Sequence, residues 1–159
     1  MKSPSLKKII FNISIVIILF LIDRVSKIYI LNFAEVNGVV NIYVNQFINL
    51  ILVWNTGIGF GLLSFDGSIF YHTISFLILM IIIYLIYLMV MSDNLGKIIF
   101  SIIIGGASGN LYDRLTYFAV PDFIDFHINN LHWFTFNLAD IFISIGIFAM
   151  IIRELIFNK

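Results

Sequence analysis

The chain has 159 residues, 61% hydrophobic and only 11% charged, with a formal net charge of zero. Soluble domains average about 45–50% apolar and about 25% charged residues, so this is the composition of an α-helical integral membrane protein, read as a single membrane domain over residues 1–159. The neutral balance excludes a basic nucleic-acid surface, and the lack of cysteine excludes disulfides, thiolate metal sites and a cysteine nucleophile.

Four apolar stretches approach the ~20 residues a helix needs to cross a bilayer. The first covers residues 9–31. Its apolar run has the length of a secretory h-region, but it leads into Asp23-Arg-Val-Ser-Lys27 rather than a small-residue cleavage site, so it reads as a retained membrane helix. Asp23 and Lys27 are four apart with the acid first, the favourable order for a helical ion pair. A structural pair and a substrate-facing role for Asp23 are both open. Ser26 beside Lys27 raises a serine–lysine hydrolase, but neighbours on a helix point about 100° apart, and the lysine must reach the serine oxygen as base.

Residues 37–64 are not lipid-like. Val39-Val-Asn-Ile-Tyr-Val44 and Phe47-Ile-Asn-Leu-Ile-Leu-Val-Trp54 are rich in β-branched and aromatic residues and predict two or three short strands, a small extracytoplasmic β-sheet between helices 1 and 2. The glycines of Asn55-Thr-Gly-Ile-Gly-Phe-Gly61 mark a tight backbone path. The second helix, residues 69–91, contains no charge. The third, residues 98–115, crowds small residues into Gly105-Gly-Ala-Ser-Gly-Asn-Leu-Tyr-Asp-Arg114, which permits close helix packing. Asn110 and Asp113 share a face of it, with Arg114 next; Asp113 and Arg114 read as scaffold for a site.

A short outer loop between helices 3 and 4 carries Val120-Pro-Asp-Phe123, with Trp133 and Phe134 as interface anchors. Asp125 is a rival to Asp122 that a loop would leave solvated. His127 and His132 lack the spacing of helical metal ligands and read as incidental, with no metal site expected. The fourth helix, residues 136–157, opens on Asn137 and Asp140, which share a face. An acid there is welcome as a cap, but capping explains neither Asn137 nor Asp122. An acid at the mouth of a lipid-buried helix costs roughly 2.5–3.5 kcal/mol and usually has a function.

Lysine and arginine set the orientation. Lys2, Lys7, Lys8, Lys97, Arg153 and Lys159 flank one set of helix ends, while residues 32–68 contain neither. The bias predicts both termini in the cytoplasm and both long loops outside. Arg24, Lys27 and Arg114 fall near the outer ends, so each is expected to have an acidic partner. A transporter would hold its essential acid near mid-bilayer, and a scaffold would not need two acids at one outer site. Two carboxylates held together in a poorly solvated place share a proton, which suits them to activate water against a peptide bond.

In order, Asp23-Arg-Val-Ser-Lys27, Asn55-Thr-Gly-Ile-Gly-Phe-Gly61, Gly105-Gly-Ala-Ser-Gly-Asn-Leu-Tyr-Asp-Arg114, Val120-Pro-Asp-Phe123 and Phe136-Asn-Leu-Ala-Asp140 resemble the motif blocks of the lipoprotein signal peptidases (signal peptidase II). The resemblance runs through nearly the whole chain. It implies four transmembrane helices and an aspartyl endopeptidase of the bacterial cytoplasmic (inner) membrane, with its active site at the outer face. Such an enzyme removes the signal peptide from diacylglyceryl-modified prolipoproteins just before the lipid-modified cysteine. Carried over by motif, Asp122 and Asp140 are the catalytic pair; Asn110, Arg114 and Asn137 line or brace the site; Asp23, Lys27, Asn55 and Asp113 hold the helices and sheet around it. The resemblance implies no metal or cofactor, contact with membrane lipids, cyclic-peptide inhibitors of the globomycin type, and a monomer. Asp125 and His127 match no motif.

Overall fold

The computed structural model describes residues 6–57, 68–129 and 131–157, with the side chains of 68–70 and 157 excepted. Lys2, Lys159, Gly59 and Gly61 lie outside the described residues. In chain order the elements are α1 (Leu6–Asn37), β1 (Asn41–Asn45), β2 (Ile48–Asn55), α2 (Ser68–Met91), α3 (Asn94–Tyr117), β3 (Val120–Ile128), β4 (Leu131–Phe136) and α4 (Leu138–Phe157).

Local chemistry sets several of these ends. α1 stops at Gly38, whose φ of 76° is left-handed and whose N–H donates to the Ala34 carbonyl at 2.8 Å, a glycine C-cap. The β1–β2 turn is closed by the Asn45 side chain, which accepts from the backbone N–H of Phe47 at 2.8 Å and Ile48 at 3.1 Å. Asp93 caps α3 by accepting from Gly96 N at 2.9 Å.

α3 is the central helix. Its most apolar stretch is 56% buried by the rest of the protein, against 17% for those of α1 and α2, whose exposed Ile17, Ile18, Leu77 and Ile81 face outward. Three glycines let the neighbours close on it. A Cβ on Gly105 would lie 3.1 Å from the Val16 carbonyl oxygen of α1, and one on Gly106 would lie 2.6 Å from that of Ala139 in α4. A Cβ on Gly109 would lie 2.4 Å from Asp23 Oδ2. The small-residue block is thus a packing surface on two sides. Ile82, Ile99, Phe100, Ile103, Ile104 and Leu111 form the core among the helices, and Ile30, Val40 and Phe123 a second one beneath the sheet.

Among the described residues, three helices are long and apolar enough to cross a membrane: Leu6–Asn37, Tyr71–Met91 and Asn94–Tyr117. α4 has 20 residues but carries Asp140 in its first turn and Arg153 and Glu154 near its end.

The expected short outer loop between helices 3 and 4 is instead a β-hairpin, β3–β4. β3 also pairs with β2, so both connections contribute to one four-stranded antiparallel sheet in the order β1-β2-β3-β4. Pro121, two acids and a histidine hide the strand in the sequence. A proline is tolerated at the start of a strand, however, and Pro121 is the second residue of β3, opposite Trp54. Trp133 and Phe134 lie exposed on β4.

Candidate active site

Buried polar residues gather where α1, α3 and the start of α4 meet the sheet. The deepest layer is an ion-pair network. Lys27 is wholly buried and spends its three protons on Asp23 Oδ2 (2.8 Å), Asp113 Oδ2 (2.7 Å) and Asn110 Oδ1 (2.9 Å). Arg24 donates to Asp113 Oδ1 and lies over the Tyr112 ring. Asp23 Oδ1 accepts from Ala139 N at 3.0 Å, tying α1 to the first turn of α4. Two acids face two bases, so the buried charge is balanced.

Asn110 links this layer to the next. Its oxygen takes the Lys27 proton, and its Nδ2 donates to Asp140 Oδ1 at 2.8 Å. Asn137 and Asp140 form a reciprocal capping pair at the start of α4: Asn137 N donates to Asp140 Oδ2 (3.1 Å), and Asp140 N donates to Asn137 Oδ1 (3.2 Å). Capping is therefore one role of Asp140, and its other oxygen is held by a different helix. Asn137 Nδ2 in turn donates to Asp122 Oδ1 at 2.6 Å, while Asn55 Nδ2 donates to Asp122 Oδ2 at 2.8 Å. Asn137 thus touches both carboxylates, that of Asp122 with its side chain and that of Asp140 with its backbone N–H. Asn55 is fixed by accepting from Gly57 N at 3.0 Å.

Asp122 is 3% exposed. Burial, and after it the nearby Asp140 carboxylate, pushes its pKa up from 3.8 to about 6, against the opposing pull of the Asn55 and Asn137 donors.

Asp122 and Asp140 line a cavity of about 540 Å³ together with Asn55, Asn110 and Arg114. Apart from Ser144, the rest of its wall is apolar, drawn mainly from α2 (Ile78, Ile82), α3 and α4 (Ile143, Ile147). α2 and α4 both pack on α3 and flank the cavity, which therefore runs from the carboxylates down along the helices.

Several expectations are corrected here. Arg114 was expected to pair with a carboxylate; among the described residues its guanidinium donates to the Gly57 carbonyl and lies over the Tyr71 ring. Its Nε and Nη1 are buried without a partner among the described residues. Ser26 donates its hydroxyl to the Asp23 carbonyl at 2.7 Å and Lys27 is engaged elsewhere, so the two side chains do not pair, in line with the reading that set a serine–lysine hydrolase aside. Asp125 is neither in a loop nor solvated: it is 1% exposed on β3. His127 and His132 come together beside it rather than lying apart as incidental loop residues. The sequence signal for this was present but discontinuous: an acid and two histidines on facing strands of an unrecognised hairpin.

Residues 15–156 match the family model of signal peptidase (SPase) II. The lipoprotein signal peptidase of Pelagibacter ubique (strain HTCC1062) is 51% identical over 159 residues, covering 100% of this chain and 96% of that one. That of Thermodesulfovibrio yellowstonii (strain ATCC 51303 / DSM 11347 / YP87) is 42% identical, covering 95% and 98%. A bacterial membrane enzyme solved by the in meso method at 1.9 Å resolution superposes with a TM-score of 0.75 at 28% identity, covering 94% of each chain. A second, at 2.3 Å resolution, gives 0.71 at 27% identity, covering 91% of this chain and 87% of that one. The chain therefore belongs to the signal peptidase II family, the lipoprotein signal peptidases, which are membrane-embedded aspartic peptidases of bacteria.

Proposed function

We propose that this chain cleaves diacylglyceryl-modified prolipoproteins on the N-terminal side of the lipid-modified cysteine, with Asp122 and Asp140 as its catalytic pair. The observation that carries the reading is the shared cavity: two carboxylates from different elements line one largely apolar space and are joined through Asn137. Such a pair tends to hold one proton between its two members, because both cannot ionise cheaply in a poorly solvated place. The ionised member takes a proton from water as the water oxygen attacks the scissile carbonyl carbon; the protonated member gives its proton to the carbonyl oxygen. Collapse of the resulting diol expels the amine of the cysteine, which takes up a proton, and no acyl-enzyme forms.

The surrounding residues have positioning roles. Asn55 and Asn137 aim Asp122, and Asn110 aims Asp140. Arg114 offers unpartnered N–H groups at the cavity edge for a substrate carbonyl. Asp23, Lys27 and Asp113 brace α1, α3 and α4.

The apolar slot between α2 and α4 suits the hydrophobic helix of a signal peptide arriving sideways from the bilayer, with the acyl chains remaining in lipid. In this reading the whole chain is one membrane domain, α4 is a fourth crossing, and both termini are cytoplasmic. Lys8 and Arg153 support it, since both meet the α2–α3 turn, at Asn94 and Asp93. The carboxylates then face the outer side of the cytoplasmic membrane, where a signal peptide's cut point emerges.

The test is cleavage of a diacylglyceryl-modified prolipoprotein in detergent micelles, read by mass spectrometry, for wild type, Asp122→Asn and Asp140→Asn. Each variant should stay folded and lose about 10²–10⁴-fold in rate, the usual worth of a positioned acid or base. A folded variant that cuts at close to the wild-type rate removes that aspartate from the pair.

A further inference from the structure

A second polar cluster lies on the β3–β4 hairpin and takes no part in the cavity. Asp125 Oδ2 is 2.7 Å from His132 Nδ1 and 3.5 Å from His127 Nδ1. The two imidazoles stack at an interplanar angle of 30° with centroids 5.4 Å apart. One ligand atom from each of the three side chains falls within 4.8 Å of the other two. Asp125 and His127 are buried, 1% and 8% exposed, while the His132 side chain is 60% exposed.

Two further observations point to a ligand. His127 Nδ1 is buried and hydrogen-bonds to nothing among the described residues. So is Asn49 Oδ1, on the residue directly opposite Asp125 in the β2–β3 register and hence on the same face of the sheet. Buried polar atoms without partners are costly, and each one needs a reason.

We propose that Asp125, His127 and His132 form a transition-metal site, of the kind that takes Zn²⁺, which staples the β3–β4 hairpin. Two imidazoles and one carboxylate are a donor set for zinc and its neighbours rather than for calcium or magnesium, which want oxygen alone. Ligand atoms on a tetrahedral zinc stand about 3.4 Å apart, given bonds of about 2.1 Å. The His127–Asp125 distance of 3.5 Å already fits, the 2.7 Å between Asp125 and His132 must open by about 0.7 Å, and the exposed His132 side chain is the one free to adjust. The open side at His132 admits the ion and leaves room for water as a fourth ligand.

The position argues for a structural rather than a hydrolytic role. Asp122 and Asp125 are three apart on one strand, so they fall on opposite faces of the sheet. The metal would hold β3, the strand that carries Asp122, to β4, which leads into Asn137 and α4. It would act on the frame of the cavity and touch no substrate.

The experiment is equilibrium dialysis of the full-length protein, purified in detergent without a polyhistidine tag and stripped with chelator, against Zn²⁺. Bound metal is read by mass spectrometry, and Co²⁺ substitution by its visible absorption. The expected result is about one Zn²⁺ per chain, raising the melting temperature. Affinity should fall at least about tenfold in His132→Gln and His127→Gln. His72→Gln, whose imidazole lies against Phe118 on another element, should bind as wild type does. His132→Gln is the decisive variant, because its exposed side chain can be changed without unfolding the sheet. Substoichiometric Zn²⁺ in the wild type, or full binding in a folded His132→Gln, would overturn the proposal.

Discussion

Lys27→Met is the most informative perturbation of the frame. The side chain is wholly buried and touches Asp23, Asp113 and Asn110 at 2.7–2.9 Å. Methionine keeps the length of the stem and removes the charge, so packing changes little. What remains is two buried carboxylates and a single guanidinium, and among the described residues Arg24 pairs with Asp113 alone. Removing one partner of a buried ion pair costs about 3–5 kcal/mol, because the other charge is left desolvated. For a chain of this size each kcal/mol moves the melting temperature by about 2–4 °C, so the fall should be roughly 6–20 °C. The fluorescence of Trp54 and Trp133, both on the sheet, reports unfolding in detergent. The double variant Lys27→Met, Asp23→Asn restores neutrality and keeps an oxygen to accept from Ala139 N. It should recover more than half of the loss. A single variant that melts within a few degrees of wild type, or a double variant less stable than the single, would refute the electrostatic account of this network.

Four further outcomes are expected. In the pH profile of kcat/KM, cleavage should decline on the alkaline side as the shared proton of the pair is lost, with the Asp122 titration near pH 6. Asn55→Ala removes a donor that favours the ionised form, so the same limb should move to higher pH; a shift to lower pH contradicts the hydrogen-bond assignment. Asn137→Ala should cost about 1 kcal/mol of stability through the lost cap but about 10²-fold in rate, since it frees one oxygen of Asp122 and loosens the turn that sets Asp140; melting and turnover measured on one preparation separate the two. Gly109→Ala drives a Cβ to 2.4 Å from Asp23 Oδ2, a group pinned by Lys27 and Ala139 N, and should destabilise by about 1–3 kcal/mol in thermal melts.

The sequence by itself determined the membrane-protein class, the approximate helices and the strand character of residues 41–55. These depend on runs of apolar residues and on glycine and asparagine at turns, which act within a few residues of each other. The Asp23–Lys27 pair was equally legible, being one helical turn long. The motif blocks singled out the polar residues that later meet in one network, but not who holds whom.

Only the tertiary structure decided that Lys27 answers to Asp113 as well as Asp23, that Arg114 rests on a carbonyl rather than an acid, and that Asn137 touches both carboxylates. It also turned an apparent loop into β3–β4 and brought Asp125, His127 and His132 together. Those partners are brought together by α3 packing into a glycine-lined contact with α1 and α4, or by strand register across a hairpin. Neither leaves a local period in the chain. A buried charge advertises in the sequence that it needs a partner, but the fold's long-range contacts choose which one, as when Asp23 reaches Ala139 across 116 residues.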